Sequence, residues 1–215
     1  MRKLIMKMSI SVDGFVCGPN NEADWIFKTS DAAATDWVVN LIWTAGIHIM
    51  GRKTFNDMAA HWPISKTPFA APMNEIPKGV FTKKGFSGIA DPMQTTTALK
   101  NAKQDLATRG MQEMDKPSSA AITWKEARIF NGDLATEIRQ LKQENGKPIL
   151  AHGGAGFMQS LAATGLIDEY HLLTHPVALG KGKALFAALD KPVDLKLVDV
   201  KPFPSGAIAH VYHAV

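Results

Sequence analysis

The chain has 215 residues, of which 46% are hydrophobic and 20% charged, and this composition is typical of one globular domain rather than of a disordered chain. The formal net charge is +4, and because Lys and Arg are spread along the sequence, it suits an anionic substrate or cofactor better than a nucleic acid. Cys17 is the single cysteine, which excludes an intrachain disulfide and favours a reducing, cytoplasmic compartment, and the histidines lack metal-binding spacing.

In the first part of the chain, short apolar runs alternate with helical patterns. The predicted elements are, in order, a strand at Leu4–Ile10, a short extension at Phe15–Cys17, a helix from the Ser30–Asp31 cap to about Gly46, a strand at Ile47–Met50, a helix that begins at Gly51–Thr54, and a strand at Val80–Thr82. Lys7 interrupts the first apolar run, so we expect neither a secretory leader nor a membrane span there. A lysine in such a strand either reaches the sheet edge or faces a site.

The middle of the chain has a different composition. Small, polar and charged residues dominate residues 85–121, which we interpret as a surface insertion into the domain. Within it, Ala98–Thr108 has the pattern of a polar helix.

The last part returns to regular patterns. The predicted elements are a helix at Leu134–Gln143, a strand at Pro148–His152, a helix at Phe157–Ala163, a strand at Tyr170–Leu179, and a hairpin of Leu195–Val200 with Ile208–His213. Alternating strands and helices followed by a hairpin predict a single α/β domain over residues 1–215. Its mixed, mostly parallel central sheet is flanked by helices and ends in a C-terminal antiparallel hairpin. Ligands of such sheets usually bind at the carboxyl ends of the parallel strands.

Two junctions between a strand and a helix are candidate phosphate sites: Gly51-Arg52-Lys53-Thr54 and Gly153-Gly154-Ala155. A helix N-terminus offers unpaired N–H groups and partial positive charge, and glycine lets the backbone approach a ligand closely. Each junction alone is explained equally well by a structural turn, but the pair suits a dinucleotide pyrophosphate. Thr82 and Lys83 offer either a further anionic contact or a solvated basic turn. No Rossmann, Walker or nucleophile-elbow motif is present.

Five motifs in this order resemble the dihydrofolate-reductase-like superfamily. They are Lys7–Gly14, Met50–Phe55, Gly153–Ala155, Gly165–Glu169 and Pro176–Gly182. The resemblance covers nearly the whole chain apart from the insertion. It is strongest to stand-alone relatives of the C-terminal reductase domain of the riboflavin-biosynthesis bifunctional deaminase-reductase. It implies a dihydrofolate-reductase-like fold and a homodimer through the C-terminal strands.

The resemblance also implies an NADPH site. Gly51, Arg52, Lys53 and Thr54 would hold phosphate groups, Thr82 and Lys83 would lie near the adenosine 2′-phosphate, and Gly153, Gly154 and Ala155 would approach the pyrophosphate. A cis peptide between Gly153 and Gly154 is an expectation that comes with the family. The positions that match Lys7 and Asp13 lie on the substrate side in those reductases.

Two positions depart from the family pattern on the substrate side. His152 stands where those reductases usually carry Glu, and Phe15 stands where Lys is common. The zinc signature of the deaminase half is absent. The cofactor side therefore resembles the family more closely than the substrate side does.

Hydride transfer from nicotinamide to a carbonyl or imine also requires a proton. The candidates for the donor are Asp13, His152, Asp31 and Asp36, and we select Asp13, Lys7 and His152 as the catalytic set. Asp13 is equally explained as a turn residue, and Asp31 and Asp36 are better explained as capping or surface groups. Asn20–Trp25 is either a flap over the nicotinamide or a plain surface loop.

Three functions fit these observations. The first is NADPH-dependent reduction of a ribosylated or phosphoribosylated aminopyrimidine, such as 5-amino-6-(5-phosphoribosylamino)uracil. The second is reduction of another pterin-like or carbonyl substrate. The third is a non-catalytic, nucleotide-binding dimer.

Overall fold

The structure is a computed structural model that describes residues 1–83, 118–119 and 122–215. The predicted insertion, with its polar helix at Ala98–Thr108, falls outside the described residues except for residues 118–119.

The described residues form short strands and helices. The strands are β1 (Leu4–Ser11), β2 (Phe15–Cys17), β3 (Ile47–Gly51), β4 (Lys78–Phe81), β5 (Arg128–Phe130), β6 (Ile149–His152), β7 (Glu169–His175), β8 (Lys183–Ala184), β9 (Leu195–Pro202) and β10 (Ile208–Ala214). The helices are α1 (Trp25–Lys28), α2 (Ala32–Trp43), α3 (Arg52–His61), α4 (Ala70–Glu75), α5 (Ile122–Lys125), α6 (Leu134–Gln143) and α7 (Ala155–Ala163), with a 3-10 turn at Trp62–Ile64.

The main sheet of the described residues has the strand order β5-β4-β3-β6-β1-β7-β10-β9. The six strands from β5 to β7 run parallel to their neighbours, and β10 and β9 are antiparallel. β2 pairs with β8 outside this sheet. The mixed, mostly parallel sheet and the C-terminal hairpin confirm the predicted fold class.

Each face of the sheet carries its own apolar layer, because side chains alternate along a strand. Ile5 and Leu150 pack beneath α2, α3 and α4. Leu4, Met6 and Ile149 pack on the opposite face with α6 and α7. Burying one such side chain stabilises the fold by roughly 1.5–3 kcal/mol, so these layers hold the strands in place.

The α2 face also buries polar side chains within the apolar layer. They are Ser9, Ser11, His48, Lys78, His152, Glu169 and His175. Buried ionisable groups are costly unless a neighbour or a ligand compensates them. We therefore expect this row of buried polar residues to have a functional role.

Two aspartates have structural roles, and for Asp31 this is the predicted one. Asp31 caps α2 by accepting a hydrogen bond from the Ala34 N–H at 2.8 Å, and it accepts another from the Ser205 N–H at 2.8 Å. Asp168 accepts from the N–H of Leu4 at 2.7 Å, which fixes the start of β1. Within the described residues, every helix is too short to cross a lipid bilayer.

Candidate active site

At the carboxyl end of the parallel strands, β6 stops pairing with its two neighbours, β1 and β3. β1 continues to Ser11, but its pairing with β6 stops at Lys7 and His152, where β6 ends. On the other side of β6, pairing with β3 stops at Ile49 and Ala151. Beyond His152 there is consequently a gap between the upper half of β1 and the end of β3. This gap is the position at which ligands of parallel sheets usually bind.

The two glycine junctions meet at the head of this gap. Gly51 precedes α3, and Gly154 precedes α7. A Cβ atom built on Gly154 would lie 2.6 Å from the Thr54 Oγ1 atom, and one on Gly51 would lie 3.1 Å from the Phe157 Cβ atom. The N-termini of α3 and α7 are therefore neighbours, and their free N–H groups and partial positive charges combine at one edge.

The expected cis peptide between Gly153 and Gly154 is wrong. No peptide bond within the described residues is cis. The chain turns from β6 into α7 through two successive left-handed glycines instead, with φ of 38° at Gly153 and 80° at Gly154. Residues with a side chain rarely adopt this conformation, so the turn itself accounts for the glycine pair.

Cationic residues lie beside the same edge. Arg52 and Lys53 are exposed in the first turn of α3. Gly51 pairs with Phe81, so Thr82 and Lys83 leave β4 next to the start of α3. The structure thus brings the predicted cofactor residues together at one end of β3, β4 and β6. Their role in cofactor binding stays a prediction.

Lys7 lies at the floor of the gap. It is partly buried, level with His152 on β6 and His171 on β7. Desolvation lowers the pKa of Lys7 to about 8. Within residues 1–83, 118–119 and 122–215 its amino group has no hydrogen-bond or ion-pair partner. An ammonium with this pKa can release a proton near neutral pH, which is what a general acid must do.

His152 is a neutral imidazole in this site. Its side chain is buried, and burial, with the charges of Lys7 and Lys78, lowers the pKa of His152 to about 3. The His48 ring stands edge-on to it with centroids 4.6 Å apart, and desolvation lowers the pKa of His48 as well. His152 therefore offers polar nitrogen atoms at neutral pH but no imidazolium proton. Its catalytic role stays a prediction.

Asp13 has structural partners. Its carboxylate accepts hydrogen bonds from the Ser11 hydroxyl at 2.5 Å, the Leu179 N–H at 3.0 Å and the Gly180 N–H at 2.7 Å. The Ser11 bond is the largest cause that lowers the pKa of Asp13, followed by the Gly180 bond. The carboxylate thus ties the turn after β1 to the loop after β7 and is ionised at neutral pH. These bonds favour the turn role, and the catalytic role of Asp13 stays a prediction.

The sequence matches one protein family over almost its whole length. The family model described as the RibD C-terminal domain matches residues 2–209. The chain belongs to the RibD C-terminal domain family. This result confirms the resemblance drawn from the five motifs, and the solved structures similar to the chain show a dihydrofolate-reductase-like fold.

One relative of this RibD C-terminal domain is similar in sequence over nearly its whole length, and two solved structures are similar in fold. The uncharacterized protein YyaP of Bacillus subtilis is 30% identical over 212 residues, which cover 99% of this chain and 95% of YyaP. A deaminase/5-amino-6-(5-phosphoribosylamino)uracil reductase of Thermotoga maritima superposes with a TM-score of 0.64 at 14% identity, over 100% of this chain and 57% of that one. Dihydrofolate reductase of Enterococcus faecalis, complexed with NADP(H), gives 0.54 at 12% identity, over 99% and 96%.

Sequence reasoning missed part of the candidate site in this RibD C-terminal domain. Ser9 and His175 share the face of Lys7, and His175 contacts Trp25 of α1 and Thr29, the C-cap of that helix. The predicted flap at Asn20–Trp25 is thus anchored in this structure by the buried Trp25 ring. The period-two pattern of β7 predicts which of its residues share a face. The contact of His175 with Thr29 joins residues 146 positions apart, so no local sequence signal predicts it.

Proposed function

We propose that this domain is an NADPH-dependent reductase of a small heterocyclic substrate, most like 5-amino-6-(5-phosphoribosylamino)uracil. The observation that carries the proposal is the meeting of the two glycine junctions above a partly buried lysine. A Cβ atom at residue 154 would lie 2.6 Å from the Thr54 Oγ1 atom, closer than side chains normally pack, and Lys7 lies in the gap below them. The name of the Thermotoga maritima protein and the NADP(H) bound to the Enterococcus faecalis enzyme support the same reading.

The described residues fit a dinucleotide. The exposed Arg52 and Lys53, with the Thr54 hydroxyl and the N–H groups of Gly154 and Ala155, form a donor-rich edge for a pyrophosphate. Thr82 and Lys83 follow β4 beside the start of α3, and in this proposal they would hold the 2′-phosphate that distinguishes NADPH from NADH. When bound, the nicotinamide supplies the hydride.

The chain itself supplies the proton and the polar surroundings. Lys7 donates a proton to the substrate atom that becomes more basic on reduction, because its ammonium has a pKa near 8 and no carboxylate partner in the described ranges. His152 stays neutral and hydrogen-bonds the substrate without adding charge. Trp25, buried over the end of β7, keeps water from that side of the gap.

A homodimer through the C-terminal strands is part of the proposal. β9 is an edge strand of the described sheet, and it exposes Leu197, Val198 and Val200 by 49%, 43% and 51%. Exposed apolar residues on an edge strand are a liability for a monomer, and a second copy would cover them.

The proposal is tested by NADPH oxidation with 5-amino-6-(5-phosphoribosylamino)uracil, together with NADPH binding by fluorescence. We expect binding, turnover, and an approximately tenfold weaker NADPH Kd in Arg52→Ala, because a charge-assisted bond to phosphate is lost. Arg139→Ala is the matched control, since Arg139 is exposed on α6. Binding without turnover would favour a pterin-like or carbonyl substrate instead. Absence of NADPH binding would overturn the proposal and favour a non-catalytic dimer.

A further inference from the structure

His175 lies at the carboxyl end of β7 and is 1% exposed. It is the last residue of β7 and pairs with Ser11, so its side chain lies on the same face as Lys7 and His152. Lys7 is on β1, between β6 and β7, and its charge contributes to lowering the pKa of both His152 and His175. The imidazole therefore lies across β1 from His152, on the face of the sheet that Lys7 shares.

Thr29 is the hydrogen-bond partner of the His175 ring. The Thr29 hydroxyl lies 3.1 Å from the Trp25 carbonyl, which can only accept its hydrogen. The same oxygen lies 2.6 Å from the Nδ1 atom of His175, and it accepts from an Nδ1–H when its own hydrogen is given to the carbonyl, the arrangement that satisfies all three groups. Desolvation is the main cause that lowers the pKa of His175 to about 4, so the ring is neutral. The Nε2 atom is then an unprotonated acceptor.

Among the residues that the structure describes, that acceptor lacks a partner. The Nε2 atom of His175 is buried without a hydrogen bond to them, and so is the Nε1–H donor of Trp25, whose ring stands edge-on with centroids 5.3 Å apart. Buried polar atoms are nearly always satisfied in folded proteins, by protein, water or ligand. The two atoms together present one acceptor and one donor beside the gap.

We propose that His175 is a specificity-determining residue of this site, which accepts through Nε2 a hydrogen bond from a neutral N–H or O–H group of the substrate. Thr29 is its positioning residue. The inference rests on the proposed reductase function and adds a recognition group on the side opposite His152. It selects substrates that bring a hydrogen-bond donor to the end of β7, such as a ring amide, over those that bring only acceptors.

The tautomer is tested without substrate by long-range ¹H–¹⁵N NMR of protein labelled at histidine, with His175→Phe used for assignment. We expect a neutral ring with hydrogen on Nδ1 in the wild type and in Thr29→Ser. In Thr29→Val, which lacks the hydroxyl, we expect a mixture of tautomers. Hydrogen on Nε2 in the wild type would overturn the inference, whatever the substrate is.

Recognition is tested by kinetics with NADPH and 5-amino-6-(5-phosphoribosylamino)uracil. His175→Phe should raise KM about tenfold and change kcat and the NADPH Kd by less than about threefold, the effect of losing one neutral hydrogen bond to the substrate. His210→Phe is the control, because His210 also pairs with a threonine but lies on the opposite face of the sheet. Equal KM values for the two variants would overturn the inference. Absence of turnover in the wild type would count against the proposed substrate, and the tautomer measurement would then decide.

Discussion

The Thr54 hydroxyl occupies the space that a side chain at residue 154 would need. A Cβ atom on Gly154 would lie 2.6 Å from the Thr54 Oγ1 atom, and the φ of Gly154 is 80°. Thr54 is in the first turn of α3, and Gly154 caps α7. The contact joins the two helix N-termini that the proposed cofactor site requires.

Gly154→Ala should therefore damage both stability and cofactor binding. Backbone strain and the clash together should lower the free energy of unfolding by about 2–4 kcal/mol. Gly165→Ala is the control, because Gly165 also has a positive φ of 65° but nothing within 4 Å of an added Cβ, so it should cost about 1–2 kcal/mol. Urea unfolding and NADPH titration measure both effects. In Gly154→Ala, adding Thr54→Ala should recover part of the stability; no recovery would show that the contact is unimportant.

The second prediction concerns Lys7 as the proton donor. With a pKa of about 8, the ammonium is mostly present at neutral pH and is lost above that pKa, so kcat/KM should fall as pH rises through about 8. Lys7→Gln should lower kcat by roughly 10²–10⁴-fold and remove this decline. Lys3→Gln is the control, because Lys3 is an exposed lysine of the same segment that pairs with Glu169 at 2.7 Å. A pH profile that is unchanged in Lys7→Gln would exclude Lys7 as the acid.

The third prediction concerns acid stability. The pKa of His152 is about 3 and that of His175 about 4 in the folded protein, below the usual 6.5 of an unfolded histidine. Between pH 6.5 and 4 the unfolded chain binds protons that the folded one does not, so stability falls as pH falls through this window. Each group contributes a slope of up to about 1.4 kcal/mol per pH unit.

Urea unfolding at several pH values checks this slope. Carboxylates that are bonded in the fold also destabilise it in acid, so the comparison must be between the wild type and a variant. His152→Phe should flatten the dependence between pH 4 and 6.5, and His210→Phe, on the opposite face, should not. Equal slopes in the wild type and His152→Phe would mean that His152 is not held neutral by burial.

The fourth prediction concerns the edge strand β9. Leu197 and Val200 are 49% and 51% exposed, and a double change to lysine should convert the proposed dimer to a monomer in sedimentation experiments. Ile129→Lys is the control, because Ile129 is 49% exposed on β5 at the opposite edge of the described sheet. A monomeric wild-type protein would contradict the dimer. Dissociation by Ile129→Lys would show that the interface lies at the β5 edge of the sheet and not at β9.

Much of the fold could be predicted because its signals are local. The cap at Asp31 and the periodicity of Leu134–Gln143 lie within the helices that they predict, and the helix at Leu134–Gln143 has those bounds in the structure. Short elements such as α1, α4 and β5 were missed. With three to six residues each, they hold too few positions to show a period, and packing decides their conformation.

Only those parts of the candidate site that lie directly after a strand could be predicted from the sequence. The glycine junctions are visible in sequence because glycine is needed at each turn. By contrast, Asp13 is bound by Leu179 and Gly180, and His175 by Thr29, which are distant along the chain. Such contacts exist only once β1 and β7 have paired, so the structural bonds of Asp13 and the place of His175 had to come from the structure.

A crystal structure of the protein with NADP⁺ bound would test the proposed cofactor site most directly. We expect the pyrophosphate between Gly51–Thr54 and Gly153–Ala155, with the nicotinamide ring in the gap beside Lys7. Phosphate groups bound elsewhere, or a nicotinamide that does not reach the gap above His152, would contradict it.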